Sequence, residues 1–296
     1  MTMGKKNRGL LAGVALAVVA SAFAASAAAA DRDYADAMSR EHAADTANAS
    51  PASLTAPAAP VAGSAVVYGS VGGRDLSGWL AMPRGAGSIR GALIVIHEWW
   101  GLNDNIRSMA ERLAGEGYAA LAVDLYGGVS AVAPQEARDL MQEAMANRPA
   151  AEANLREAHE YLREELGAAQ VGSIGWCFGG AWSLSIALMY PDTLDAAVIY
   201  YGRLVTDQAA LAPLEVPLLG IFGAQDRGIP LQSVRAFEAS LAALGKDAEI
   251  VVYDDADHAF ANPSGQRYNA IAAADAWRRT QAFLARYLEP ATPRTR

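Results

Sequence analysis

The pattern of apolar positions predicts strands and helices that alternate after about residue 91. Short, nearly continuous apolar runs predict buried strands over residues 92–96, 119–124, 171–175, 196–200, 217–222 and 248–253. Helix-like patterns lie between them, over residues 105–115, 134–146, 151–166, 181–189, 231–244 and 269–288. Two earlier runs, 66–69 and 76–81, predict an antiparallel start to the sheet. The predicted fold class is α/β, a single domain with a mostly parallel central sheet and helices on both faces.

The first 30 residues predict a secretory signal peptide. A basic start is followed by a small-residue apolar run over residues 10–20, and residues 28–30 form an A-x-A cleavage site. An uncleaved anchor is the alternative, because residues 9–30 are long enough to span a membrane. The run is mostly alanine and ends at a good cleavage site, so we predict its removal and a periplasmic or secreted protein.

Residues 31–62 are rich in Ala, Ser, Thr and Pro and have almost no aromatic or large aliphatic side chains. Such a composition can bury little apolar surface, which predicts a flexible linker. Residues 63–290 are long enough for one α/β domain with a sizeable core, and residues 291–296 form a short C-terminal tail.

Charge and cysteine content narrow the partners and the compartment. Signal removal takes away Lys5, Lys6 and Arg8 and no acidic residue, so the formal net charge changes from −8 to −11. This acidic balance argues against binding to nucleic acids and, after signal removal, to anionic membranes. The single cysteine excludes an internal disulfide and leaves a free thiol that must be sheltered in an oxidising compartment. We predict a monomer that acts on a small molecule.

The single cysteine, Cys177, lies in the frame Gly-Trp-Cys-Phe-Gly-Gly between a predicted strand and a predicted helix. A sharp strand-to-helix turn of this kind is the nucleophile elbow of the α/β-hydrolase fold, where small neighbours relieve clashes around a strained backbone. The thiol would project above the carboxyl edge of the sheet, and the backbone N–H of Phe178 would point toward a developing oxyanion. A lone cysteine also often fills a core, so the partner residues decide between the two readings.

The chain has four histidines, and two of them are candidates for the catalytic base. His42 falls in the low-complexity N-terminal region, and His159 lies in a charged helical segment that predicts a solvated surface position. His97 and His258 remain. His258 follows a predicted strand on a polar loop, which is where a catalytic base is placed in this fold.

The carboxylate that would orient the catalytic base is best assigned to Asp226, at the turn after the apolar run 217–222. A carboxylate there can accept the second ring N–H of His258 and fix its tautomer. Asp254 and Asp255 are the alternatives, whereas Asp257 is adjacent to His258 and poorly placed to orient the ring.

A second polar cluster follows the strand predicted over residues 92–96. In α/β-hydrolases this loop supplies the second oxyanion donor, and the backbone N–H of Trp99 is the candidate. Glu98 is interpreted either as a structural acid or as a carboxylate that tunes the protonation of the thiol. Because Trp99 and Trp100 are adjacent and cannot both face inward, we expect them to wall a pocket.

Several separate motifs, taken together and in this order, resemble the dienelactone hydrolases, also called carboxymethylenebutenolidases. They lie at residues 96–103, 123–126, 175–180, 200–202, 223–226 and 258–260. The resemblance spans the globular part of the chain and implies a Cys–His–Asp triad, here Cys177, His258 and Asp226. It also implies a glutamate that holds the thiol until substrate displaces it, here Glu98.

The chain departs from that resemblance at positions that bind the substrate. Trp100, Tyr126 and Trp176 are the expected substrate-binding residues. The best-known members of the family bind the lactone carboxylate with two arginines, and this chain has Gly128 and Asn262 at those positions. The hydrolytic chemistry therefore carries over, the carboxylated dienelactone does not, and we expect a neutral substrate.

The sequence thus predicts an exported hydrolase that cleaves small esters or lactones through an acyl-thioester intermediate. A thioesterase or peptidase with the same triad is an alternative, as is a non-catalytic small-molecule binding protein on the same fold. No cofactor is implied, because the glycine clusters lack a dinucleotide-binding frame. No metal is implied either, because no His, Cys and Asp residues show the spacing of metal ligands along the sequence.

Overall fold

The computed structural model of the chain describes residues 32–47, 55–85 and 89–289. The predicted signal peptide, residues 1–30, and the predicted tail, residues 291–296, lie outside these ranges. Within them, no helix combines the length and the apolar character needed to cross a membrane.

The described residues form eight strands. They are β1 (Val61–Val71), β2 (Arg74–Pro83), β3 (Ala92–Ile96), β4 (Ala119–Val123), β5 (Val171–Trp176), β6 (Ala196–Tyr200), β7 (Leu218–Gly223) and β8 (Ala248–Tyr253). They make one sheet in the order β1-β2-β4-β3-β5-β6-β7-β8. The β1–β2 and β2–β4 pairs are antiparallel and the other neighbours are parallel. Every residue of strands β3, β4, β5, β6 and β7 is buried, so both faces of the sheet are covered. The predicted α/β class is therefore confirmed.

Helices lie between the parallel strands and at both ends of the described part of the chain. They are α1 (residues 32–41), α2 (Asp104–Gly115), α3 (Pro134–Ala146), α4 (Arg148–Glu160), α5 (Phe178–Met189), α6 (Gln208–Leu211), α7 (Leu231–Ala243) and α8 (Ala270–Leu288). A single π-helical turn, Tyr161–Glu165, continues α4. The longer helices after β3 lie within a few residues of their predicted bounds, whereas α1 and the four-residue α6 were not predicted.

Helix α1 corrects the prediction of a flexible linker for residues 32–41 of the stretch 31–62. Tyr34 and Met38 are buried in the core, and His42 just after the helix is buried as well. These large side chains recur four residues apart, so they share one face of the helix. The alanine-rich composition concealed this because one short stripe of large side chains is enough to dock a helix on an existing domain.

Polar contacts fasten the same segment to the domain. Asp36 pairs with Arg138 of α3 at 2.6 Å. Arg267 donates to the Glu41 carbonyl oxygen at 3.0 Å. The segment therefore packs against the domain as part of the same folded unit.

The sheet gathers candidate functional residues at its carboxyl edge. Glu98 follows β3, Cys177 follows β5, Asp226 follows β7 and His258 follows β8. Open α/β sheets bind their ligands at this edge, so the topology brings together residues that are far apart in sequence.

Candidate active site

The turn between β5 and α5 has the geometry of an elbow. Cys177 has φ 54° and ψ −115°, a backbone conformation that costs a non-glycine residue about 1–3 kcal/mol. A Cβ on Gly175 would lie 2.1 Å from the Gly179 carbonyl oxygen, and a Cβ on Gly179 would lie 2.2 Å from the Ile96 oxygen. The N–H of Cys177 donates to the Tyr200 carbonyl oxygen at 3.0 Å. The two glycines allow the strained turn to pack this closely against β3.

His258 and Asp226 form a buried pair beside this turn. His258 Nδ1 donates to Asp226 Oδ2 at 2.7 Å, and neither side chain is exposed. Asp226 Oδ1 also accepts the N–H groups of Gly228 at 2.8 Å and Ile229 at 2.7 Å. Burial acts to raise the pKa of Asp226, but His258 and the two N–H groups together hold it below its ordinary value. Burial acts to lower the pKa of His258, and the charges of Asp226 and Cys177 hold it well above its ordinary value.

The rival acids lie elsewhere. Asp254 and Asp255 are exposed. Asp257 accepts the backbone N–H of His258 at 2.6 Å and so contacts the main chain of that residue. The structure therefore places Asp226 against the His258 ring, as the sequence argument favours.

His97 and His159 have other surroundings than His258. His97 has both ring nitrogens bound to backbone, Nδ1 donating to the Glu98 carbonyl oxygen at 2.6 Å and Nε2 accepting the Leu125 N–H at 3.2 Å. The prediction that His159 is a solvated surface residue is wrong. It is 7% exposed and stacks on Tyr190 with ring centroids 5.0 Å apart, because it lies on the inward face of α4 while the charged neighbours lie elsewhere on the helix.

His42 is the site residue that sequence analysis missed. It is 2% exposed, and its ring centroid lies 4.9 Å from that of His258 and 5.0 Å from that of Trp99. A ring nitrogen of His42, a ring nitrogen of His258 and Sγ of Cys177 all lie within 4.8 Å of one another. The available signal was its spacing of four residues from Met38 on the buried face of α1.

Asp45 and Arg267 hold the His42 ring. His42 Nδ1 lies 2.6 Å from Asp45 Oδ2 and 2.7 Å from Nη2 of Arg267. A guanidinium can only donate, and this one also binds the same Asp45 oxygen at 2.6 Å. Nδ1 can therefore either donate to the carboxylate or accept from the guanidinium, and the two contacts favour opposite tautomers of the ring. Burial lowers the pKa of His42 to about 4, so the ring is neutral near neutral pH.

Glu98 is buried and pairs with an amide. It is 6% exposed, and its Oε2 accepts a hydrogen bond from Asn262 Nδ2 at 2.7 Å. Burial raises the pKa of Glu98 to about 7, although His258 and the Asn262 hydrogen bond act to lower it. Asn262 therefore binds a protein carboxylate at one of the two positions where the resemblance would place an arginine.

We expect Glu98→Gln to flatten the pH dependence of stability. The pKa of Glu98 is about 7 in the folded protein, whereas the ordinary pKa of a glutamate, expected in the unfolded chain, is 4.5. Since the folded state binds the extra proton in this window, the wild-type free energy of unfolding falls there by about 3 kcal/mol in total. Urea unfolding of both proteins between about pH 4 and about pH 8 measures the difference. Parallel curves would show that Glu98 titrates normally.

The burial of the two adjacent tryptophans near the turn differs from the prediction. Trp99 and Trp100 are 1% and 4% exposed with ring centroids 4.9 Å apart, so both face inward, contrary to the prediction. Their loop is not a free surface because His42 after α1 packs on Trp99. Trp176 lines a cleft together with Glu98.

The cleft and its surroundings place the remaining predicted residues. Asn262 and Tyr201 line the same cleft as Trp176. Tyr126 packs on Phe178 with ring centroids 5.5 Å apart and lines a different cleft. Of the three expected substrate-binding residues, Trp176 is therefore the one beside the Glu98 carboxyl.

Two backbone N–H groups lie at the same edge of the sheet. Phe178 is the first residue of α5, where an N–H has no acceptor within the helix. Trp99 lies just beyond β3, which pairs with β5 so that Ile96 is opposite Gly175. The pairing brings the Trp99 loop next to the Cys177 turn.

Comparison with known proteins gives one consistent family. The model of the dienelactone hydrolase family matches residues 76–288. Protein usf of Aquifex pyrophilus is 33% identical over 223 residues, which cover 73% of this chain and 95% of that protein. A Saccharolobus solfataricus protein named "Putative carboxymethylenebutenolidase" is 32% identical over 232 residues, covering 66% of this chain and 89% of that protein. The crystal structure of a Klebsiella pneumoniae protein named "Putative Dienelactone Hydrolase" matches with a TM-score of 0.69 and 30% identity over 77% of this chain and 100% of that one.

Proposed function

The chain belongs to the dienelactone hydrolase family and is an ester or lactone hydrolase, and we propose that it acts through Cys177, His258 and Asp226 as an exported enzyme. The observation that carries the proposal is the buried His258 ring. Its Nδ1 is fixed by Asp226 at 2.7 Å, and a ring nitrogen lies within 4.8 Å of the sulfur at the strained turn. A nucleophile, a base and a residue that orients the base are the parts needed for acyl transfer.

The proposed reaction has two halves. His258 Nε2 takes the proton of the Cys177 thiol as the sulfur attacks the substrate carbonyl, and the N–H groups of Phe178 and Trp99 stabilise the oxyanion. Protonated His258 then gives its proton to the leaving alkoxide, which leaves a thioester on Cys177. Water attacks the thioester as His258 accepts its proton, the C–S bond breaks, and His258 returns the proton to the Cys177 sulfur as the acid product departs. Asp226 stays ionised and stabilises the imidazolium in both halves.

Glu98 is proposed to modulate the thiol through charge. The pKa of Glu98 is about 7, because burial disfavours its charged form, and so its charge varies near neutral pH. A negative Glu98 favours the protonated form of the nearby His258 and so promotes loss of the thiol proton to that ring. Asn262 holds the carboxyl in place at 2.7 Å.

Acid quenching during turnover of p-nitrophenyl acetate tests the nucleophile. We expect mass spectrometry to show one acetyl group on the peptide that contains Cys177, and iodoacetamide to abolish both the adduct and turnover. Turnover that yields no adduct and resists iodoacetamide would contradict a cysteine nucleophile. A protein that turns over no short ester would instead be the non-catalytic binding protein, and kcat/KM for thioesters and peptides in the same assay separates those two alternatives.

Export is proposed from the N-terminal sequence pattern. Cleavage before Asp31 would leave α1, residues 32–41, at the start of the mature protein. Terminal sequencing of the protein from the periplasm or the medium is expected to begin at Asp31. An intact N-terminus in a membrane fraction would favour the uncleaved anchor.

We expect uncharged lactones and aryl esters to be better substrates than carboxylated dienelactones by about tenfold or more in kcat/KM. The amide of Asn262 is used by Glu98, and the N–H of Gly128 is used by Asp124. A substrate carboxylate near the Glu98 carboxyl would lack a guanidinium partner. The measurement is kcat/KM for a lactone with and without its carboxylate.

Two arginines provide the control for that comparison. Arg203 lies over the Tyr34 ring at 5.1 Å, and Arg227 is exposed. A preference for the carboxylated lactone that disappears in Arg203→Ala or Arg227→Ala would overturn the prediction and locate the anion site.

A further inference from the structure

Three potential metal ligands converge where the N-terminal segment meets the turn after β5. The donor atoms of His42, Cys177 and His258 lie within 4.8 Å of one another. The three residues are 2%, 1% and 0% exposed. Nε2 of His42 is buried and has no hydrogen-bond partner among the residues that the structure describes, and the His258 ring interacts with the Cys177 thiol. A buried imidazole nitrogen without a partner, beside a thiol and a second imidazole, is open to a further ligand.

Each histidine is oriented by a carboxylate. His42 Nδ1 contacts Asp45 at 2.6 Å, and His258 Nδ1 contacts Asp226 at 2.7 Å. The Asp226 contact places the His258 proton on Nδ1 and leaves its Nε2 lone pair available. A metal on His42 Nε2 would select the tautomer in which Nδ1 donates to Asp45. The same carboxylate–histidine pairing orients most metal-binding histidines in proteins.

The donor set selects a borderline-soft cation. One thiolate and two imidazoles match Zn²⁺, whereas Mg²⁺ and Ca²⁺ prefer oxygen ligands. Tetrahedral Zn²⁺, with bonds of about 2.0–2.3 Å, needs ligand atoms about 3.3–3.8 Å apart, so a pair at the 4.8 Å limit would approach by about 1.0–1.5 Å on binding. We propose that Zn²⁺ binds at His42 Nε2, Cys177 Sγ and His258 Nε2, and that the Zn²⁺-bound protein cannot hydrolyse esters.

Binding and catalysis would exclude each other because they use the same atoms. Coordination releases the Cys177 thiol proton to solvent and forms a Zn–S bond, with no change in oxidation state. The Zn–S bond withdraws negative charge from the sulfur and lowers its nucleophilicity, and His258 Nε2, bound to the metal, cannot accept a proton. The metal would also shield the thiol from oxidation in an oxidising compartment. The loss of hydrolysis rests on the proposed function, whereas Zn²⁺ binding does not.

Equilibrium titration of the metal-free full-length protein with Zn²⁺ tests the binding. We expect one Zn²⁺ per chain, and Co²⁺ in its place to give a thiolate-to-metal charge-transfer band. His42→Gln is expected to weaken Zn²⁺ binding by about 100-fold or more, and Asp45→Asn by about 10–100-fold because it frees the ring. His159→Gln, which alters a buried histidine away from the site, should leave the affinity unchanged and serves as the matched control. Circular dichroism checks folding, and Asp45→Asn keeps the test decisive if His42→Gln does not fold.

Two results would overturn the binding: less than one Zn²⁺ per chain in the wild type, or equal affinities of wild type and both site variants. The exclusion is tested by adding Zn²⁺ during ester turnover and during alkylation by iodoacetamide. We expect both rates to fall with the same midpoint as binding and to recover with EDTA. Turnover that is unchanged at saturating Zn²⁺ would refute the exclusion. If the wild type hydrolyses no ester at all, protection of Cys177 from alkylation still reports on the metal site, and the failure belongs to the proposed function alone.

Discussion

Replacing Cys177 with alanine is expected to lower kcat/KM for p-nitrophenyl acetate by three or more powers of ten. The substitution removes the sulfur that would form the thioester and leaves the Cβ atom at the strained turn. Residual hydrolysis would come only from the oxyanion donors and substrate binding. Steady-state kinetics with the purified variant, freed of wild-type protein, measures the loss.

The fold of this variant is expected to survive. The N–H of Cys177 donates to the Tyr200 carbonyl oxygen, and alanine keeps that bond. Ser173→Ala is a matched control, since Ser173 is a buried residue of strand β5, which leads into Cys177, and its hydroxyl contacts Ser183 at 2.8 Å. It should change stability without a comparable loss of rate. Turnover above a few per cent of wild type in Cys177→Ala would refute the nucleophile assignment.

His258→Asn is expected to be nearly as damaging as Cys177→Ala, and the double variant little worse than either. The ring would accept the thiol proton and return it to the leaving group, so the two side chains act as one unit. Asparagine cannot accept a proton near neutral pH. A double-mutant cycle on kcat/KM measures the coupling, and additive losses would argue against a shared step.

His97→Asn provides the contrast. Both ring nitrogens of His97 are bound to backbone atoms, so its loss should lower stability more than the rate of the folded protein. Urea unfolding together with kcat of the folded fraction separates the two effects. A larger loss of kcat in His97→Asn than in His258→Asn would show that the base has been misassigned.

The central sheet could be predicted from sequence because its strands are buried on both faces. Strands β3 and β6 are continuous apolar runs of five residues, which are too short for a typical buried helix. The Cys177 turn was predictable for a local reason. Gly175 and Gly179 have no room for a Cβ, and both glycines lie within two residues of Cys177 in the sequence. The order of the strands in the sheet came only from the structure.

The tertiary structure was needed to identify the acidic residue that contacts His258 and the residue that contacts Glu98. Asp226, Asp254 and Asp255 are all acidic residues at loops after strands, and spacing alone does not fix which one meets the His258 ring. The structure places Asp226 there at 2.7 Å. The pairing of Glu98 with Asn262 joins residues from distant loops, and sequence carries no local signal for such a contact.

The sequence by itself determined the α/β class, the elbow and a short set of candidate residues, because short-range sterics and apolar periodicity encode them. Only the tertiary structure decided that α1 packs on the domain and that His42 reaches Cys177 and His258. Average composition describes a segment in isolation, and residues 31–62 would bury little on their own. A helix with one stripe of large side chains is stabilised by the surface that it covers, and that surface exists only once the rest of the chain has folded.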